Sequence, residues 1–210
     1  MLKIIRVDSL VAEQRSNHSD GGGSIPTSTL HVYECPVSEI QSVIERVHYS
    51  HSIFGVTTSI CFKVVAANTV VGGAIFGKPA AFNVARKYGA NGLLECRRFV
   101  LEDACERNSE SKVLAFMLRK LRENLYQRVL SYADPAYGHE GVIYRACGFQ
   151  YVGVTAKRKH VMWRGKKYPD RNVHQTNFPF HLELRAALAD GSATRVVIPG
   201  KHIYLKELQT

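Results

Sequence analysis

Apolar and polar positions in this chain follow two periods, and the switches between them mark the elements. Residues 2–7 alternate and predict a short strand. Residues 12–29 lose their apolar content around Gly21-Gly22-Gly23-Ser24 and predict a flexible loop. A strand follows at 30–34. Ile40, Val43, Ile44 and Val47 then recur at helical spacing behind Pro36 and Ser38, so the spacing predicts a helix that ends at His48-Tyr49-Ser50-His51. Two β-branched runs at 58–66 and 69–77, joined by Ala67-Asn68, predict an antiparallel hairpin. The second arm is rich in glycine, which marks a bulge or a close approach to a ligand.

Residues 80–89 suit a short helix or lid, and 93–101 a strand. The clearest helix is 109–125, where Leu114, Met117, Leu118, Leu121 and Leu125 share one face. Residues 129–133 read as a central buried strand ended by Asp134-Pro135. A short helix is expected at 141–147, with Gly148 as its stop and a strand from Phe149 to Val152. Residues 157–164 suit a strand with a basic face, 181–189 a helix and 201–205 a last strand. The chain thus divides into a strand and Gly-rich loop at 1–30, a main domain at 30–165, and a C-terminal extension at 166–210 expected to pack on that domain.

The composition narrows the class. No apolar run approaches the roughly 20 residues of a membrane span, and the N-terminus is too mixed for a secretory signal. A cytoplasmic protein is expected. The five cysteines, odd in number and without a CxxC pair, argue against a disulfide framework or a zinc ribbon. The formal net charge of +10 points to a polyanion, because lysine and arginine release counterions when they neutralise phosphates. Lys157, Arg158, Lys159, His160, Arg164, Lys166, Lys167 and Arg171 are interleaved with Trp163 and Tyr168. That mixture suits a DNA backbone and an unstacked base, with a solvated basic face as the bland alternative. The hydroxyl of Ser109 is placed to cap the helix at 109–125, with Glu110 in its first turn. His48, His51 and His139 are candidate ligands for a redox metal such as iron.

The order helix, hairpin, strand, helix, strand, helix, strand resembles the N-acetyltransferase (GNAT) fold. That fold is α/β (α+β), with a central mixed, mostly antiparallel sheet, splayed central strands and helices on both faces. Four segments carry a narrower resemblance. They are Glu95-Cys96-Arg97-Arg98-Phe99-Val100, Arg107-Asn108-Ser109-Glu110-Ser111, Ser131-Tyr132-Ala133-Asp134-Pro135 and Gly138-His139-Glu140-Gly141-Val142-Ile143-Tyr144-Arg145-Ala146. In this order they resemble the Mom family of phage-encoded, GNAT-like proteins, over about residues 45–155. The resemblance implies an enzyme that converts adenine N6 in DNA to an acetamido (carbamoylmethyl) form, protecting phage DNA from host restriction. It also implies double-stranded DNA and a small-molecule donor as partners, and leaves a homodimer open.

The resemblance assigns roles to particular residues. Arg98 would hold a carboxylate or phosphate; the structural alternative is a salt bridge with Glu95 or Asp134. Asp134 would act as a base or polarise the amine, or simply form the turn before Pro135. Tyr144 would donate a proton, and Tyr49 would line the pocket or stack on the base; packed aromatics are the alternative for both. Arg107, Asn108, Ser109 and Ser111 occupy the coenzyme A cradle of GNAT enzymes. The usual Gln/Arg-x-x-Gly-x-Gly/Ala pattern reads here Arg107-Asn108-Ser109-Glu110-Ser111-Lys112, without glycine. Acetyl-coenzyme A and a different donor therefore both remain open. A conventional acetyltransferase and a non-catalytic DNA-binding module are the rival readings.

Overall fold

Seven strands form the main sheet in the order β1-β2-β3-β4-β5-β10-β6, and a separate three-stranded sheet has the order β8-β7-β9. The computed structural model describes residues 24–208. The strand expected at 2–7 and the glycines 21–23 lie outside them. In chain order the strands are β1 (His31–Glu34), β2 (Ile60–Ala66), β3 (Thr69–Gly77), β4 (Leu93–Leu101), β5 (Arg128–Ala133), β6 (Gln150–Val154), β7 (Arg158–Trp163), β8 (Lys166–Pro169), β9 (Thr194–Ile198) and β10 (His202–Glu207). The helices are α1 (Gln41–Val47), α2 (Phe82–Tyr88), α3 (Ser109–Glu123), α4 (Val142–Ala146) and α5 (His181–Ala189). The chain divides into two compact units, one of residues 24–132, 141–151 and 204–208, the other of 133–140 and 152–203.

In the first unit, β1 to β4 pair antiparallel. Ala67 and Asn68 both take positive φ, 44° and 65°, which is the backbone of the tight turn that the right-handed twist of a hairpin favours. The glycines of β3 make room for neighbouring backbone, a Cβ on Gly72 meeting Val100 O at 2.5 Å and one on Gly73 meeting Phe62 O at 2.8 Å, and the β2–β3 register shifts beside Gly72, the bulge that the glycines predict. Between β3 and β4 the register shifts, with Ile75 opposite Arg98 and Phe76 opposite Cys96, so Arg97 is bulged out of the ladder. β4 and β5 are parallel and pair only at Leu93–Arg128, Leu94–Val129 and Glu95–Leu130. Beyond those residues the two strands part, which is the splay expected of a GNAT-like sheet.

The core of this unit follows the predicted periodicities. Ile40, Val43 and Ile44 pack with Cys61, Ile75 and Val100. Val113, Leu114, Met117, Leu118 and Leu121 line the buried side of α3. Each such side chain contributes about 1.5–3 kcal/mol by burial. The helix ends sooner than its pattern suggests: it closes at Glu123, and Leu125 has φ 64° and lies exposed. Part of the supposed N-terminal loop is anchored. Ile25 forms a parallel bridge with Cys105, donating its N–H to Ala104 O (2.8 Å) and accepting from Glu106 N (2.8 Å).

The second unit is the three-stranded sheet with α5. Arg164 and Gly165, both at positive φ, turn β7 into β8, and β9 pairs with the other edge of β7. Val161, Trp163, Val173, Leu184, Ala187 and Ala193 form its core. β8 and β9 have too few alternating positions to stand out from loop in the sequence.

Gly141 positions α4. It has φ 71°, and a Cβ there would lie 2.3 Å from the Tyr204 ring. Gly141→Ala is expected to lower stability by about 2–4 kcal/mol, combining left-handed strain with overpacking. Denaturant unfolding of the variant checks this, and a loss below about 1 kcal/mol contradicts the geometry.

Candidate active site

Arg98 lies on β4 past the point where β4 leaves β5. Its Nε donates to Ser52 O (3.0 Å) and its Nη1 to Arg97 O (2.7 Å). Both acceptors are carbonyls. Among the described residues no carboxylate lies within ion-pairing distance of this guanidinium. The salt bridge considered for Arg98 is made by its neighbour instead: Arg97 Nη1 stands 3.3 Å from Glu95 Oε1. Burial lowers the Arg98 pKa, with Tyr49 opposing it electrostatically, yet a guanidinium stays charged at any working pH. Arg98 is therefore a half-buried cation with capacity for an anion or a polarised carbonyl.

Tyr144 is buried on α4, with its ring 5.4 Å from Phe149 and 5.6 Å from Tyr204. Burial, then the nearby Cys96 and Tyr49, holds its phenol well above the usual tyrosine range. At neutral pH it is a proton donor and not a base. Ser131 Oγ is buried without a hydrogen bond of normal geometry, yet close enough to act weakly on Tyr144 and Cys96. Burial pushes the Cys96 thiol up to about 12, so it remains neutral. The Tyr49 ring lies against His48, 4.3 Å between centroids. The first unit thus gathers Tyr49, Arg98 and Tyr144, together with Cys96 and Ser131. Ser131 was not singled out from the sequence, although a hydroxyl in the otherwise apolar run of β5 was a usable signal.

Asp134 belongs to the second unit and is almost fully buried, at 1% side-chain exposure. Arg158 grips it from both arms, Nη1 to Oδ2 at 2.9 Å and Nη2 to Oδ1 at 2.7 Å, and Lys201 Nζ lies 3.6 Å from Oδ2. Asp134 also accepts from Ala136 N (3.1 Å), so the turn-forming role is real. Burial pulls its pKa upward, but Arg158 and Lys201 outweigh that and hold the carboxyl below its usual range. A carboxylate so engaged is a weak base, which corrects the expectation that Asp134 takes the proton. Arg158 is corrected with it. Its remaining contacts run to Pro199 O (3.2 and 3.0 Å), so it is an internal clamp rather than a phosphate contact. His160, two residues along the same strand face, has its pKa lowered by burial and then by Arg158.

Lys157, Lys159, Arg164, Lys166 and Lys167 are exposed as expected. Trp163 and Tyr168 are not available for stacking on a base: Trp163 is 8% exposed, and both pack in the second unit's core. Arg164 lies over the Trp163 ring, 4.3 Å from its centroid.

The cradle residues are largely committed. The cap position of α3 is Asn108, at φ 69° and with no side-chain capping bond, and Ser109 is the first helical residue. Ser109 Oγ is buried 2.6 Å from Thr27 Oγ1, which itself donates to Glu106 Oε2 (2.9 Å). Ser111 Oγ donates to Asn108 O (3.0 Å). Arg107 and Asn108 are exposed. With no glycine, its serine hydroxyls engaged, and Glu106 and Glu110 adjacent, this loop does not fit the coenzyme A pyrophosphate.

The histidines are not assembled into a ligand set. His48 Nδ1 bonds Ser50 Oγ (2.8 Å), His51 Nδ1 bonds Glu45 O (2.9 Å), and His139 belongs to the second unit. No group of three His, Cys, Asp or Glu side chains among the described residues is arranged to hold an ion. No helix among them is long and apolar enough to cross a membrane.

Solved structures share this architecture. An IAA acetyltransferase from Bacillus cereus aligns at TM-score 0.52 with 9% identity, covering 85% of this chain and 99% of that one. The ribosomal-protein-S18-alanine N-acetyltransferase of Escherichia coli aligns at TM-score 0.52 with 9% identity, covering 86% and 95%. An N-acetyltransferase from Staphylococcus aureus Mu50 aligns at 0.51 with 10% identity, covering 87% and 100%. At these identities the likeness establishes the fold. In sequence, the chain is 30% identical over 120 residues to the methylcarbamoylase mom of Escherichia phage Mu, a match spanning 54% of this chain and about half, 49%, of that relative. A model of the Mom protein family matches residues 29–209, nearly the whole chain, and the protein belongs to that family.

Proposed function

We propose that the protein is a DNA-modifying transferase, active in the host cytoplasm, that attaches a carbamoylmethyl group to N6 of adenine and so shields phage DNA from restriction. The observation that carries this reading is Arg98, a half-buried cation with no carboxylate partner among the described residues, at the parting of β4 and β5 and in the same unit as the buried phenol of Tyr144. The exposed cations of the second unit hold the phosphate backbone, where counterion release supplies affinity without sequence preference. The target base leaves the stack, because N6 is paired inside the duplex. Arg98 orients the donor through its carbonyl or anionic group; the bond from N6 to the transferred carbon forms as the donor's bond to its leaving group breaks, Tyr144 gives that leaving group a proton, and the proton lost by N6 passes to water. Asp134, clamped by Arg158, keeps the segment after β5 in place. The donor is a small molecule held without a diphosphate cradle, since the loop before α3 lacks one.

A conventional acetyltransferase acting on a protein or small amine is the reading the fold alone favours, and the loop at Arg107–Lys112 opposes it. Two measurements separate them. Nucleosides from plasmid DNA of cells expressing the protein are expected to contain a modified adenine by mass spectrometry, and calorimetry is expected to find no tight coenzyme A binding. Unmodified adenine together with tight coenzyme A binding favours the acetyltransferase.

A further inference from the structure

Two phenylalanines of the first unit stand almost wholly in water. Phe54 is 95% exposed and Phe82 is 80% exposed. Phe54 sits at the apex of a tight turn, closed by Val56 N donating to Ile53 O (3.1 Å), with Gly55 at φ 69°. The flanking Ile53 and Val56 pack against the α1 core, so the turn is held by its shoulders while its apex projects. Phe82 opens α2.

The loops that carry these rings are fixed. Arg98 Nε holds Ser52 O (3.0 Å), and Ser52 Oγ accepts from Phe54 N (3.0 Å). Glu95 Oε2 accepts from Ala80 N (3.1 Å). Each ring therefore stands two residues beyond a loop residue pinned by a β4 side chain. The loops also adjoin: Thr57 Oγ1 donates to Lys78 O (3.1 Å), and a Cβ on Gly77 would fall 1.9 Å from Thr57 O. A single exposed apolar side chain is ordinary. Two on adjoining, anchored loops beside the candidate site have no packing reason. Residues 48–57 and 77–91 carry Lys78, Arg86 and Lys87 and no carboxylate, which suits a polyanion. Trp163 and Tyr168, the aromatics of the basic stretch, are already used in a core.

We propose that Phe54 and Phe82 form a wedge that enters the base stack of duplex DNA and holds the target base out of it. The inference rests on the DNA-modification reading and assigns the step that reading lacks, the opening of the duplex. Apolar side chains inserted between base steps unstack them, and basic neighbours hold the phosphates on either side.

The test uses the full chain and short duplexes with 2-aminopurine at successive adenine positions, with binding followed separately by anisotropy. At saturation the parent protein is expected to brighten 2-aminopurine, and Phe54→Ala/Phe82→Ala is expected to lose at least about five-fold of that signal. Brightening is expected to return on a duplex whose 2-aminopurine faces an abasic site, where no wedge is required. The unfolding temperature is expected to hold, because neither ring is packed. The proposal is overturned if the double variant brightens the intact duplex like the parent, if it is equally dark on both duplexes, or if the saturated parent brightens neither. It is also overturned if the variant only turns a dimer into a monomer, which would make the rings a self-association contact. Nucleoside mass spectrometry runs in parallel. A parent protein that brightens the duplex but marks no adenine keeps the wedge and removes the modification reading. A double variant that marks adenine as well as its parent does the reverse.

Discussion

Arg98→Ala is expected to reduce adenine modification by about 10²–10³-fold, the usual effect of removing one preorganised electrostatic contact from a site. Stability should change little, because the side chain's own hydrogen bonds end on the carbonyls of Ser52 and Arg97 and no buried anion is orphaned by its loss. Arg98→Lys keeps the charge but not the planar fork, so it is expected to restore only a minor part of the activity. Nucleoside mass spectrometry at matched expression reads both variants, with thermal unfolding as the control for folding. Activity of Arg98→Ala within about tenfold of the parent would remove Arg98 from the site.

Arg158→Ala is expected to act on stability instead. It leaves Asp134 buried with Lys201 Nζ at 3.6 Å and the Ala136 N–H at 3.1 Å, but without its bidentate partner. Removing one partner of a buried ion pair costs about 3–5 kcal/mol, and Lys201 places this case at the lower end. The pH dependence follows from the depressed carboxyl of folded Asp134. A group whose pKa is lowered by folding contributes stability above its unfolded value, about 3.9 for aspartate, and that stability is lost as the pH falls through the folded value. The gap between parent and variant should therefore be widest near neutrality and narrow below about pH 4. Adding Asp134→Asn to the variant removes the orphaned charge and is expected to recover part of the loss. Denaturant unfolding at neutral and acid pH measures both. A gap that widens on acidification would show that Asp134 is not the group responsible.

The same residues show how far the sequence was legible. The leucine spacing of α3 located the helix, because a buried face must recur every 3.6 residues whatever it packs against. Leu125 continued that phase yet lies outside the helix, since periodicity records where a side chain would point and not whether the backbone still turns. Asn68 was readable as a turn, whereas the bulge at Arg97 was not, because a bulge is a mismatch between two strands and neither carries it alone. Arg158 was read as a DNA contact on charge. Its partner is 24 positions away, and charge does not say which cations the chain will neutralise internally. Trp163 was misread for the same reason: its core is completed by α5, which the sequence placed but could not dock.

By itself, then, the sequence determined the succession of strands and helices apart from β8 and β9, the basic balance and the motif order that marks the Mom family. Those features reside in local spacing and residue identity. Only the tertiary structure decided that Arg98 has no carboxylate partner among the described residues while Asp134 is clamped, that Ser109 is tied to Thr27, and that Phe54 and Phe82 stand in water. Each of these depends on contacts between residues distant along the chain, and so on the path the backbone takes between them.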